Sequence, residues 1–213
     1  MMPQLLDEGF IKVCGVTNTS DAELIVDAGA SAIGLILSES KRRISPDLAS
    51  DIARHVRGRG IVVAVVRNES DEYVIQCVEK IQPDFVQYHG QPSENLTNEL
   101  ATRSVGIVWA GNESAFEQLQ PPYPYSALLI DGETPGSGIE REWRPLSASS
   151  ELPLLIAAGG LTPLNVANAI FSGNYGGVDV ATGVEVTPGV KDPTLVREFI
   201  SNARTAFHDS RRN

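Results

Sequence analysis

The sequence predicts a (β/α)8 barrel, one domain over residues 1–213, and three observations carry that prediction. Eight short apolar runs recur at intervals of roughly 20 to 30 residues, the length of one strand, one helix and two short loops. The runs are continuous, as in Ile61-Val62-Val63-Ala64-Val65-Val66, so each strand is buried on both faces, as in a parallel sheet wrapped by helices. The last two runs end in glycine-rich polar turns, at Gly159-Gly160 and at Thr182-Gly183. Two such turns on consecutive strands suit a barrel that holds a phosphate dianion on bare backbone N–H groups. An open doubly wound sheet is the competing architecture. It usually has fewer units and places its phosphate turn after strand one, where Cys14-Gly15-Val16-Thr17 is no G-x-G-x-x-G, and the chain has no Walker A sequence.

Taken in order, the strands begin near Ile11, Ala32, Ile61, Phe85, Val105, Ala127, Leu154 and Gly177. The helices between them carry recognisable starts. Thr19-Ser20-Asp21 precedes the first, which Gly29 stops. Ser45-Pro46 opens the second, with Leu48, Ile52, Ala53 and Val56 on its apolar face. Cys77 falls in a helical stripe with Val74, Val78 and Ile81 and reads as packing. The fifth helix, around Glu113 to Leu119, is short, and Trp143 to Ser150 carries little helical signal. Thr162-Pro163 opens a helix with Val166, Ala167 and Ile170 on one stripe, and Asp192-Pro193 opens the last. Residues 1–10 read as an acidic extension, and 204–213 as a polar tail that frays.

Bulk properties narrow the function. The chain of 213 residues is 42% hydrophobic and 21% charged, enough for one full core. No window approaches the roughly 18 apolar residues of a membrane span. No signal peptide is visible, and two cysteines make no disulfide framework, so a cytoplasmic location is the default expectation. Lys and Arg number 17 against 27 for Asp and Glu, a formal charge of −10, which argues against nucleic acid and anionic membrane as partners. A phosphorylated small molecule stays compatible, because backbone amides and one or two local cations grip it. Monomer and homodimer both remain open.

In such barrels the reactive groups lie at the C-terminal ends of strands. Strand one ends in Cys14, whose thiolate is a competent base if a nearby cation or helix N-terminus lowers its pKa. Strand six ends in Asp131, a carboxyl group directly after Leu128-Leu129-Ile130 that is costly to bury without a task or a partner. Partial burial would let it donate a proton near neutrality. A thiolate base and a carboxylic acid on opposite walls form an acid–base pair suited to sugar isomerisation. Lys41-Arg42-Arg43 is a compact cation cluster in an acidic chain, and Arg42 can pair bidentately with a substrate carboxylate. Gln87 and His89 near the end of strand four, and Asp179 in strand eight, are further substrate-facing candidates. Gly159, Gly160, Thr182 and Gly183 are the phosphate candidates. No metal-ligand grouping and no hydrolase triad spacing stands out, so neither metal nor cofactor is expected.

These residues resemble the phosphoribosylanthranilate isomerase family of tryptophan biosynthesis, from Ile11 to about Ile200. The resemblance rests on KVCGVT (12–17), GASAIGLIL (29–37), SKRRIS (40–45), DFVQYHG (84–90), LLID (128–131), AAGGLTPLNV (157–166) and VDVATGVE followed by PGVKD (178–192). It implies a cofactor-free Amadori rearrangement in which Asp131 opens the ribose ring as general acid and Cys14 takes the C2′ proton as general base. It also implies that Arg42 meets the anthranilate carboxylate and that the glycine turns hold the phosphate. The chain departs from the family pattern before Arg42, where Leu37-Ser38-Glu39-Ser40 replaces an aromatic-proline stretch. It departs again at Trp109, at Arg67 before Asn68, at Ala181, and after strand six, where Pro135 to Glu140 lacks a lysine. Two alternatives stand beside this reading. One is a histidine-pathway type of bifunctional isomerase, which carries an aspartate in place of Cys14 and a second double-glycine turn. The other is a drifted barrel that binds a sugar phosphate without turning it over.

Overall fold

A computed structural model describes residues 9–120, 123–132, 143, 145–146 and 153–212. Strands β1 (Phe10–Cys14), β2 (Ala32–Ile36), β3 (Ile61–Arg67), β4 (Phe85–His89), β5 (Gly106–Gly111), β6 (Ala127–Ile130), β7 (Leu154–Ala157) and β8 (Gly177–Val180) pair in sequence order. All are parallel, and β8 returns to β1 to close the barrel. The predicted fold class is therefore the observed one, and each strand begins within one residue of its expected start. The open sheet is excluded by the β1–β8 pairing, which runs from Phe10 opposite Gly177 to Val13 opposite Val180.

Strand side chains alternate between faces, and this alternation sorts the core into two layers. Ile11 and Val13 of β1 pack outward with the helices, while Phe10 and Cys14 point to the barrel axis with Val63, Val108, Leu129 and Ile156. The same parity carries Lys12, Gln87, His89, Asp131 and Asp179 inward. Trp109 falls on the outward parity and packs in the helix layer, so the tryptophan at the departure in strand five does not enter the mouth; Ala110 does.

The helices are α1 (Thr19–Asp27), α2 (Pro46–Val56), α3 (Asp71–Ile81), α4 (Glu94–Thr102), α5 (Glu113–Phe116), α6 (Val166–Ser172) and α7 (Pro193–Ser210). Polar side chains close the first turns: Asn18, Ser45, Ser70, Ser93, Asn112 and Asp192 each accept a backbone N–H two or three residues on. In α2 the buried face is Ala49, Ile52, Ala53 and Val56, with Leu48 left 38% exposed, so the stripe lies one residue from its expected place. Cys77 is buried in α3 with Val74, Val78 and Ile81, as expected for packing. Helix α6 starts later than Thr162-Pro163 suggested. Asn165 accepts the Thr162 N–H at 2.8 Å and donates to the Gly160 carbonyl at 3.0 Å, which ties the preceding turn into its own loop before the helix begins. Its buried residues are Val166, Ala169 and Ile170. Of the segment expected to give a weak sixth helix, Trp143 to Ser150, the described residues are Trp143, Pro145 and Leu146, and the loop 135–140 lies outside the described residues.

The expected fraying of residues 204–213 is corrected by α7. The helix continues to Ser210, because Ala206 and Phe207 extend the apolar stripe of Val196, Phe199, Ile200 and Ala203 by another turn. Phe207 lies against Gly9 at the entrance to β1 and is 3% exposed, so its ring seals the lower rim of the barrel. Phe207→Ala is expected to destabilise the protein by about 3 kcal/mol, the loss of a buried aromatic ring and the cavity left behind. Urea unfolding measures this; an unchanged midpoint would mean that the last helical turn carries none of the stability.

Candidate active site

The C-terminal ends of the strands surround a cavity of about 480 Å³ lined by Cys14, Ile36, Ser38, Arg42, Gln87, His89, Asp131, Asp179 and Thr182, among others. Every catalytic and substrate-facing residue singled out from the sequence thus shares one cavity, with Cys14 on β1 and Asp131 after β6 on opposite walls. A larger groove of about 680 Å³ opens at the other end of the barrel, where strands β3 and β4 begin. It is lined by Arg57, Gln82, Asp84 and Arg103 and contains none of these groups. Among the described residues no three His, Cys, Asp or Glu side chains are grouped to hold a metal ion.

The base candidate sits in a charged pocket. Lys12, two residues before Cys14 and 2% exposed, donates to Asp179 Oδ1 at 2.8 Å. Burial alone would lower the Lys12 pKa, but Asp179 and then Cys14 outweigh it and hold the ammonium above its ordinary range. Cys14 is pushed up, chiefly by burial; Lys12 is the largest opposing influence, and Asp179 adds to the rise. The fall toward neutrality that a nearby cation can cause is therefore opposed in full by desolvation at this sulfur. The cation itself is present.

Asp131 is 9% exposed, its Oδ1 accepts the Gly132 N–H at 2.8 Å, and its own N–H donates to the Gly111 carbonyl at 2.8 Å. The carboxyl group is thus oriented by its own turn. That turn lies directly under the first phosphate candidate: a Cβ on Gly159 would come within 2.6 Å of the Gly132 nitrogen and 3.0 Å of Asp131 Oδ1. Gly159 and Gly160 have φ of 86° and 67°, left-handed conformations that bulkier residues resist. Opposite them, Thr182–Val184 forms one turn of 3-10 helix after β8. A Cβ on Gly183 would run into the Leu161 carbonyl, so the two glycine turns interlock. Among the described residues no acceptor meets the N–H of Gly160 or of Gly183.

Arg42 is only 8% exposed, not a solvated loop residue, and it already holds a carboxylate of this chain. Its Nε donates to Glu185 Oε1 at 2.9 Å and its Nη2 to Glu185 Oε2 at 2.7 Å; Nη2 also donates to Thr182 Oγ1 at 3.1 Å. The bidentate pairing expected with substrate is thus made internally, and Nη1 carries the donors left over. Glu185 opens a short hairpin, β9 (Glu185–Thr187) and β10 (Val190–Lys191), and Lys191 of that hairpin donates to Glu185 Oε1 at 2.8 Å and to the Cys14 carbonyl at 2.6 Å. Burial works against the Glu185 charge, but Arg42 and then Lys191 pull its carboxyl group below the ordinary range.

On β4, Gln87 Nε2 lies 3.0 Å from His89 Nε2, while Gln87 Oε1 is buried without a partner among the described residues. Burial first, then Arg67 and Lys12, lowers His89 to about 4, so the ring is neutral near pH 7. Lys12, Glu185 and Lys191 were not singled out from the sequence. Lys12 had a legible signal: a lysine at an inward position of a strand buried on both faces needs an anion at its own level.

With this geometry in hand, the comparisons with known proteins agree with one another. The family model for N-(5'phosphoribosyl)anthranilate (PRA) isomerase matches residues 11–202. A curated N-(5'-phosphoribosyl)anthranilate isomerase from Desulforudis audaxviator is 36% identical over 202 residues, covering 92% of this chain and 98% of the relative. A solved phosphoribosyl anthranilate isomerase from Thermotoga maritima superposes with a TM-score of 0.80 at 31% identity, covering 92% of this chain and 99% of that one. Another structure, of a phosphoribosyl anthranilate isomerase in complex with reduced 1-(o-carboxyphenylamino)-1-deoxyribulose 5-phosphate, gives 0.77 at 30% identity, with 92% and 99% covered. A barrel with this cavity, matched over nearly its whole length in sequence and in shape, belongs to the N-(5'-phosphoribosyl)anthranilate isomerase family and is an isomerase.

Proposed function

We propose that the chain isomerises N-(5′-phosphoribosyl)anthranilate to 1-(2-carboxyphenylamino)-1-deoxyribulose 5-phosphate, with Asp131 as general acid and Cys14 as general base. The observation that carries this reading is the shared cavity, which Cys14 and Asp131 line from opposite walls, with the Gly159 turn packed against the Asp131 turn. The 5′-phosphate is assigned to the Gly159-Gly160 and Thr182-Gly183 turns, where the N–H groups of Gly160 and Gly183 meet no acceptor among the described residues and backbone amides need no side-chain cation. The phosphate turn touches the Asp131 turn, so anchoring that end brings the ribose ring oxygen toward the carboxyl group. Protonation there breaks the C1′–O bond and leaves a Schiff base. Cys14 then removes the C2′ proton from the other wall; the electron pair forms the C1′–C2′ double bond and neutralises the iminium, and the resulting enol relaxes to the ketone.

Arg42 serves the anthranilate carboxylate through Nη1, its other edge being set by Glu185. Burial lowers the Lys191 pKa, with Glu185 opposing it, so Arg42 is the firm cation of this group for an incoming anion. Gln87 Oε1 and the neutral His89 ring supply an acceptor and a donor at the level of the ribose hydroxyls. The relative solved with a reduced product analogue supports a small phosphorylated substrate of this kind. No helix among the described residues is long and apolar enough to cross a membrane, which fits work in the cytoplasm. A structure from Thermotoga maritima is described as monomers made from a dimeric isomerase, and we leave a monomer or a homodimer as the states to be measured here.

Cys14→Ala and Asp131→Asn are each expected to lower kcat by about 100- to 10,000-fold, the value of a positioned acid or base, with the fold intact. The fluorescence of anthranilate consumption measures it. Wild type that binds substrate but turns over no faster than either variant would show a binding-only barrel. Arg42→Ala is expected to raise KM by about 10- to 100-fold, the worth of a charge-assisted hydrogen bond; an unchanged KM reassigns carboxylate recognition, first to Arg43.

His89 makes a pH prediction. The unfolded chain takes up this proton near 6.5 and the folded chain near 4. Between those values the unfolded state binds more protons, so stability is complete above pH 6.5 and is lost as pH falls through 4. The contribution is on the order of 2 kcal/mol after solvent screening at the partly open rim. Urea unfolding of wild type and His89→Gln at pH 7 and pH 4.5 reads it: the variant should lose less stability on acidification, and equal losses would contradict the assignment.

A further inference from the structure

We propose that Lys12 is the positioning residue that makes the Cys14 thiolate attainable, its ammonium clamped by Asp179 and turned toward the sulfur. The inference rests on the reading of Cys14 as the base and adds a residue to it. Three observations of geometry converge. Lys12 and Cys14 share the inward face of β1, one step apart along the barrel axis. Lys12 Nζ is fixed by Asp179 on the neighbouring strand, at 2.8 Å and at the level where the two residues pair in the ladder. On the other neighbouring strand, Gly34 lies opposite Cys14, and a Cβ there would meet Cys14 Sγ at 2.7 Å and Lys12 Nζ at 3.0 Å. Sulfur and ammonium therefore border the same small space, which stays open because residue 34 has no side chain.

The groups facing this sulfur come from several elements. Lys12 lies on β1 and Asp179 on β8; Lys191 of the hairpin holds the Cys14 carbonyl; Arg42 comes from the loop after β2, and His89 and Asp131 line the same cavity. Burial and Asp179 act against a charge on sulfur, and Lys12 is the largest influence in its favour. In the base step the C2′–H bond breaks, the proton passes to Sγ and the electron pair enters the C1′–C2′ bond. Lys12 keeps its proton throughout, so its part is to stabilise the anion that receives one.

The test is the rate of iodoacetamide alkylation at Cys14 as a function of pH, in a Cys77→Ala background that leaves a single thiol. It needs no turnover, so it reads Lys12 even if the isomerase reading fails. Lys12→Gln should slow alkylation at pH 8 by about tenfold or more, as expected when an opposite charge within a few ångströms of a thiolate is removed. Asp179→Asn keeps an acceptor for Lys12 but removes an anion, and should speed alkylation. In steady state, Lys12→Gln should lower kcat more than it raises KM and move the basic limb of the pH profile. Alkylation unchanged in folded Lys12→Gln, or both variants shifting in the same direction as general loosening would do, overturns the proposal. If Lys12→Gln does not fold, Asp179→Asn still decides it, because slower alkylation there contradicts the assigned charges.

Discussion

The ion pair between Lys12 and Asp179 lies across the seam where the barrel closes, and most of the site follows from it. Two charged groups inside a barrel lose their water, and neither is tolerable there without the other. The pair can form when β1 and β8 meet in the observed register, with Lys12 opposite Asp179. A slip of one residue between β1 and β8 would turn one of the two side chains into the helix layer, among Ile11 and Val13 or Val178 and Val180, and leave the other charge buried alone. The pair therefore selects one closure. That closure sets Cys14 at the mouth and the Thr182-Gly183 turn beside it, since each follows its charged residue by a few positions on adjacent strands.

A second buried network governs the loops above this seam. Arg42 after β2, Glu185 after β8 and Lys191 on the returning hairpin hold one another through bonds of 2.7 to 2.9 Å, and Lys191 reaches the Cys14 carbonyl. Each connection joins a different segment, so the hairpin cannot move without disturbing both the Arg42 guanidinium and the backbone of Cys14. In a chain with a formal charge of −10, the network gathers the cationic side chains of Arg42 and Lys191 around one carboxylate at the mouth. The net acidity of the molecule and the cationic character of its mouth are consistent, because buried charges act at short range and surface charges are screened.

The fold was legible because a small barrel repeats one pattern. Each continuous apolar run had to be a strand buried on both faces, and eight runs at even spacing leave few other architectures. That Cys14 and Asp131 would share the barrel mouth was legible for a related reason: both, like the glycine turns, stand where an apolar run stops. What could not be read was pairing across the barrel. Arg42 read as a cation for a substrate carboxylate, but that Glu185 would take one of its edges depends on a contact between residues 143 positions apart. Asp179 read as a substrate-facing residue; it lines the cavity, and the sequence did not reveal that Lys12 engages its carboxylate. The polar composition of residues 204–213 concealed Phe207, because one aromatic ring at the right helical phase outweighs several charged neighbours on the opposite face.

The placement of glycine explains how the two halves of the proposed chemistry stay in register. Gly159 has no room for a side chain because the Asp131-Gly132 turn lies against it, and Gly34 has none because Cys14 and Lys12 do. One missing methyl group joins the proposed phosphate anchor to the proposed acid; the other joins the proposed base to Lys12. In each case the close approach leaves little freedom for the reactive group, since its neighbours already occupy the space into which it would relax. The acid and the base lie on strands far apart in the ladder, yet each is wedged against a glycine on an adjoining strand or turn. Their separation across the mouth is therefore set by the barrel itself, which is the element of this protein least able to deform.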